Sequence, residues 1–188
     1  MQFISRRAAT FLSLGLATAV LIGPALAETA VAPEKNPPGD IPDTQAFVAY
    51  TADTYAMQVP EGWARSAAGA TVSFVSKLDG VSVTLSALPA NPTLDWARQT
   101  YLPDLIAKGR AVEVVSLTSE TLPGGKAIVI AYTVNSEPNP VTTRQIRLEA
   151  NTYLFFKSGT LAALDLYAPL GADNVDQWRL MSRSFAWH

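Results

Sequence analysis

The chain has 188 residues, with 14 basic and 16 acidic side chains, a single histidine and no cysteine. A net charge of −2 offers no electrostatic footprint for a phosphate backbone or an anionic lipid surface, and the lack of thiols excludes disulfide staples, thiolate metal sites and a lipid-modified cysteine. With 48% of its residues hydrophobic, the chain has to draw its stability from a buried core, which this length is able to supply.

The first element is a leader. Residues 1–7 carry Arg6 and Arg7 and no acid, residues 8–23 form an apolar run, and Pro24 precedes Ala25-Leu26-Ala27. A basic stretch, an apolar stretch and then small residues at the first and third positions before a cut is the order of a secretory signal. Cleavage is therefore expected between Ala27 and Glu28. The apolar run is about 16 residues long, short of the roughly 20 that cross a bilayer as a helix. Ser5-Arg6-Arg7 with Phe11-Leu12 resembles the twin-arginine export signal, although that pattern sets the Phe-Leu pair two places after the second arginine and here it stands four after. Both the general secretory and the twin-arginine routes stay open, and the expected location is periplasmic or secreted from a bacterium, with no membrane anchor after cleavage.

Residues 28–42 hold Pro33, Pro37, Pro38 and Pro42 among charged residues, with almost no large apolar side chain. This composition reads as an extended, disordered linker, because it buries too little surface to offset the entropy of ordering. A single domain is expected over residues 43–188.

Inside that domain, Thr54 to Val59 alternates and ends in Pro60-Glu61-Gly62-Trp63, a strand followed by a turn. Thr71 to Lys77 and Val81 to Ala87 read as a hairpin about an Asp79-Gly80 type I′ turn, with Val81, Val83 and Leu85 on one face. Asn91-Pro92-Thr93 opens a helix with the core stripe Leu94, Ala97, Tyr101 and Leu105; Pro103 should kink or split it near Leu102, and Gly109 ends it. Four more strands follow at Val112–Leu117, Lys126–Val134, Arg144–Phe156 and Leu161–Tyr167, with a turn expected at Asn151 inside the third. Asp173 or Asn174 then caps a closing helix whose stripe is Val175, Trp178, Met181 and Phe185. The order implies an α+β fold, a mostly antiparallel sheet flanked by helices.

A strand leading into Val59-Pro60-Glu61-Gly62-Trp63, a hairpin, a helix beginning near Thr93, a long strand meander and a closing helix ending in Ser184-Phe185 together resemble the PsbP and Mog1 superfamily, over nearly all of the domain. The resemblance implies an α/β/α sandwich. Members include a lumenal extrinsic subunit of photosystem II, a nuclear protein that binds a small GTPase, and bacterial exported proteins without known activity; none is known as an enzyme family. Pro60, Gly62 and Trp63 match the family pattern and are expected to be structural, and no functional site carries over from the relatives.

The chemistry-bearing residues are sparse. A Ser/His/Asp hydrolase would have to use His188, the last residue, where a chain end frays, and there is no Gly-x-Ser-x-Gly elbow. Asp173-Asn174-Val175-Asp176 is the densest set of oxygen ligands, but it lacks a calcium-loop pattern and reads as a helix cap. Asp95 with Asp104, or Glu61 with Glu149, are the nominal carboxylate pairs for glycoside hydrolysis. Pro123-Gly124-Gly125-Lys126 lacks the phosphate-loop spacing and reads as a turn. Tryptophans 63, 96, 178 and 187 are expected to pack rather than to line a binding wall. No cofactor and no metal site is expected. The reading is an exported, non-catalytic binding domain acting on a protein partner in the bacterial cell envelope, as an interaction or assembly factor, with a periplasmic small-ligand binder and a carboxylate-based hydrolase as alternatives.

Overall fold

Alternating burial builds two antiparallel sheets. In the computed structural model, which describes residues 28–188, the small sheet has the order β1 (Phe47–Thr51), β2 (Tyr55–Pro60) and β10 (Ala186–Trp187). The large sheet contains β3 (Ala64–Ala68), β4 (Thr71–Ser76), β5 (Asp79–Ala87), β6 (Glu113–Leu122), β7 (Gly125–Asn135), β8 (Arg147–Lys157) and β9 (Thr160–Pro169), in the order β3-β4-β5-β9-β8-β7-β6. Residues 1–27, with Ala27 and the expected leader, lie outside the described residues.

Both faces of the large sheet are covered, and the pleat decides which side chain goes where. On β9, Ala162, Leu164, Leu166 and Ala168 join a core with Tyr55 and Met57 of β2, while Leu161 and Ala163 join a second core on the opposite face. That second face carries a continuous helical rod: α1 (Leu94–Trp96), a π-helical turn (Ala97–Tyr101) and α2 (Leu102–Lys108). The first face carries α3 (Val175–Ser184) and the small sheet. Between them the layers make an α+β sandwich.

Proline explains the π turn. In a regular helix the Pro103 ring would collide with the carbonyl four residues back. Here the Leu102 N–H reaches five back, to the Ala97 carbonyl, which widens the turn just ahead of the proline. The expected break near Leu102 thus takes the form of one wide turn, and Thr93 starts the rod by accepting the Trp96 N–H at 3.1 Å.

Several sequence expectations are corrected. Asp79 and Gly80 do not form the hairpin turn: they begin β5, opposite Ser76 and Val75, and Lys77-Leu78 turns the chain with Lys77 at φ 52°. Gly80 is small for another reason, since a Cβ there would lie 2.2 Å from the Tyr167 ring. Asn151 marks no turn; β8 runs straight through it, paired to Ala131 and Leu166. Val175 is 63% exposed, so the α3 stripe is Trp178, Met181 and Phe185. The Asn174 side chain makes no cap bond to its own helix. The all-exposed β3 and the two-residue β10 have no periodicity to betray them.

Residues 28–42, read from composition as a disordered linker, lie along the domain as a strap. Ile41 is buried in the first core, and its N–H and C=O are taken by Asn174 Oδ1 at 2.6 Å and Gln177 Nε2 at 3.1 Å. Asn174 also donates to the Gly39 carbonyl. Composition fails here because the partners are buried amides more than 130 residues away, and four prolines lower the entropy that ordering has to overcome.

Candidate functional site

At one end of the helix-bearing face, a groove of about 560 Å³ opens on the large sheet. Its floor is the cross-strand row Tyr132, Ala150 and Tyr167, with Leu148 beside it. The Lys77-Leu78 turn forms one wall, the loop between β7 and β8 another, and Glu34 of the strap meets Arg144 of that loop at 3.1 Å on the rim. Leu78 is 37% exposed at this rim, and Val141 on the loop is 88% exposed. The groove is apolar below and charged with both signs above.

Two perturbed carboxylates lie near this floor without lining the groove, Asp165 on its face and Asp79 on the opposite face with Val81 and Val83. One row along the sheet, Asp165 of β9 stands opposite Thr152, whose hydroxyl donates to it at 2.5 Å. Burial raises the Asp165 carboxyl above the usual aspartate range, against the opposing effect of that hydrogen bond. Tyr132 is pushed up to about 12, first by burial and then by the nearby Asp165 charge. Tyr101, on the π turn, is raised for the same two reasons. The arrangement is a buried, hydrogen-bonded Asp165 and Thr152 pair whose charge is felt by Tyr132, a residue that lines the groove.

The second carboxylate is Asp79, 6% exposed, with no hydrogen-bond partner for Oδ1. The strap lies over it at Gly39, where a Cβ would come within 2.8 Å of that oxygen. Its carboxyl is pushed up to about 7 by burial, then by the Asp40 charge, with Lys77 opposing. The neighbouring Tyr167 is raised by its own burial and by Asp79. Of the two, Asp165 is on the groove's face, and a group shifted in this way near an apolar pocket is where a binding site is first sought.

The sequence reasoning did not single out these residues. Asp79 was read as a turn residue. A signal for Asp165 existed, an acid in the middle of the apolar run from Leu161 to Ala168. Of the nominal carboxylate pairs, Asp95 bonds Arg98 at 2.7 Å and Asp104 bonds Lys108 at 2.8 Å on their own helices, whereas Glu149 accepts the Gly171 N–H and Glu61 lies exposed in the turn after β2. Neither set converges. His188 is better held than a fraying end, its N–H on the Thr54 carbonyl and its own carbonyl on Lys157 Nζ.

The Asp173 to Asp176 cluster is spent internally: Asn174 serves the strap, and Asp176 pairs with Arg179 at 2.8 Å. Among the described residues, no three His, Asp or Glu side chains gather as a metal site, and no helix is long and apolar enough to cross a membrane. Trp63, Trp178 and Trp187 pack in or against one core and Trp96 against the other, so they share no wall. Pro60 is buried at the end of β2, and Gly62 takes the positive φ of 81° that its turn requires.

No family model and no curated protein matches the chain. Among solved structures, PsbP (CyanoP) from Synechocystis sp. PCC 6803 matches with a TM-score of 0.52 at 17% identity, over 80% of this chain and 98% of that one. The chain has the PsbP fold. The Saccharomyces cerevisiae Ran-binding protein Mog1p is matched with a TM-score of 0.49 at 13% identity, over 76% of this chain and 95% of its own. A Pseudomonas aeruginosa protein of unknown function is matched with 0.46 at 10%, over 73% and 94%. In PsbP-fold terms, the groove lies on the face that carries the central helical rod, at the end where the strap crosses.

Proposed function

We propose that this chain is an exported, non-catalytic binding domain that engages a protein partner of the bacterial cell envelope through the groove, as an interaction or assembly factor. In this reading residues 1–27 are removed between Ala27 and Glu28, residues 43–188 with the strap of residues 28–42 packed on them are the folded unit, and Pro60, Gly62 and Trp63 serve the fold alone. The observation that carries the reading is the groove itself. It is open, its floor is tyrosine and aliphatic, Leu78 is apolar and exposed at its rim, and its rim charges are of both signs. Interfaces combine an aromatic and aliphatic centre with a polar rim in this way.

A second reading is a small-ligand binder. What favours it is the buried Asp165 and Thr152 pair with Tyr132 close by, a few polar groups at the edge of an apolar cleft.

The test is photocrosslinking in the native envelope, with the reactive residue placed at Leu78 or Thr142, both on the groove, and, as a control, at Leu180, which is 42% exposed on α3. A discrete protein adduct from both groove positions and not from the control supports the first reading. No adduct from the groove, with a small molecule retained in stoichiometric amount, overturns it in favour of the second.

A further inference from the structure

The first residues of the strap are gripped by a buried side chain. Asn135, at the end of β7 and 3% exposed, reads the strap's backbone on both sides of its amide. Its Nδ2 donates to the Thr29 carbonyl at 2.9 Å, and its Oδ1 accepts the Val31 N–H at 3.0 Å. A carboxamide that pairs one C=O and one N–H two residues apart imitates a neighbouring strand, and recognises extended backbone whatever its side chains.

A separate set of groups reads Glu28. Its Oε1 accepts from Gln145 Nε2 at 2.6 Å and from Asn135 Nδ2 at 3.1 Å, while Oε2 lies 3.2 Å from Arg110 Nε. The hydrogen bonds from Asn135 and Gln145, ahead of the Arg110 charge, hold this carboxyl below the usual glutamate range. Behind the socket, Arg147 fixes the amide: it is 3% exposed and donates to Asn135 Oδ1 at 3.0 Å and to the Ala111 carbonyl at 2.7 Å. With its oxygen turned to a guanidinium, the amide presents its nitrogen to carbonyl and carboxylate.

We propose that Asn135, Gln145 and Arg110 form a peptide-reading socket for an extended segment that carries a carboxylate one residue ahead of the carbonyl read by Asn135, and that residues 28–31 occupy it in cis. The strap is then a resident ligand, exchangeable in trans for an acidic segment of the same pattern. The socket stands on its own contacts and does not rest on the partner reading of the groove.

Hydrogen exchange at the Val31 amide, followed by NMR in the chain from residue 28 onward, tests this. The Val31 N–H should exchange at least about tenfold more slowly than in a free peptide of residues 28–36, the protection expected of one hydrogen bond worth ~1.4 kcal/mol. Gln145→Ala, whose side chain hydrogen-bonds to Glu28 and to the Ser136 carbonyl among the described residues, and Glu28→Gln, which leaves residues 43–188 unchanged in sequence, should each remove part of that protection. The free peptide, added at the several millimolar needed to compete with a short tether, should accelerate exchange, and the same peptide beginning with Gln should do so less. Exchange at the free-peptide rate in the unaltered chain, equal action of the two peptides, or no action of either at ~10 mM would each overturn the socket.

Discussion

Asp79→Asn should stabilise the protein above about pH 4, and by the full margin only from about pH 7 upward. The wild-type carboxyl is buried, lacks a partner for Oδ1 and faces Asp40 on the strap, so its affinity for a proton rises until it titrates near 7. In the unfolded chain it titrates near ~4. A carboxyl that binds its proton more tightly when folded contributes stability that is fully present below the unfolded value and is lost as the pH rises through about 7. At roughly 1.4 kcal/mol per tenfold change in proton affinity, ionising it in place costs about 2–4 kcal/mol, the lower figure allowing for screening by solvent and by Lys77. Asparagine keeps the shape of the protonated side chain and cannot ionise. Urea unfolding of the chain from residue 28 onward should therefore show the variant ahead by that margin near pH 8, the gap narrowing by about pH 5 and closing near 4. A difference that is the same at every pH, or a variant less stable at pH 8, would refute the reasoning.

Other substitutions probe the packing and the groove. Gly124→Ala places a Cβ 2.4 Å from the Phe185 carbonyl oxygen, a backbone atom with no room to swing away, so thermal unfolding should show a loss of roughly 1–3 kcal/mol. Phe185→Ala removes the ring that stacks on Phe155 at 4.4 Å and on Tyr55 at 5.5 Å, and chemical denaturation should show it about 3–5 kcal/mol less stable. Arg147→Met leaves the Ala111 carbonyl and the buried Asn135 amide without their donor, for a loss of about 3 kcal/mol together with faster exchange at Val31. Leu78→Asp, at an exposed position, should leave the stability unchanged within about 0.5 kcal/mol and still abolish the crosslink from a reactive residue at Thr142 on the groove.

What the sequence determined by itself was local. Period-two runs marked β2, β4 and β5, because a strand with one face in a core writes that face into every second residue, whereas β7 and β9, with side chains in both cores, were marked by their β-branched, aromatic and apolar content. Thr93, Pro103 and Gly109 marked the start, the break and the end of the helical rod, because caps and proline act through neighbours a few bonds away. The order of these elements was enough for an α+β sandwich of PsbP type. Tertiary structure alone decided the rest. A turn read from Asp79-Gly80 moved two residues upstream because Tyr167, distant in sequence, needed the space over Gly80. An apparent linker became a strap because Asn135, Asn174 and Gln177 supplied partners for its backbone. Asp79 and Asp165 acquired their perturbed protonation from burial, a property of what surrounds a residue in space and invisible to its neighbours in the chain. The groove follows the same rule: its floor, walls and rim come from four separate stretches, and only folding brings them together.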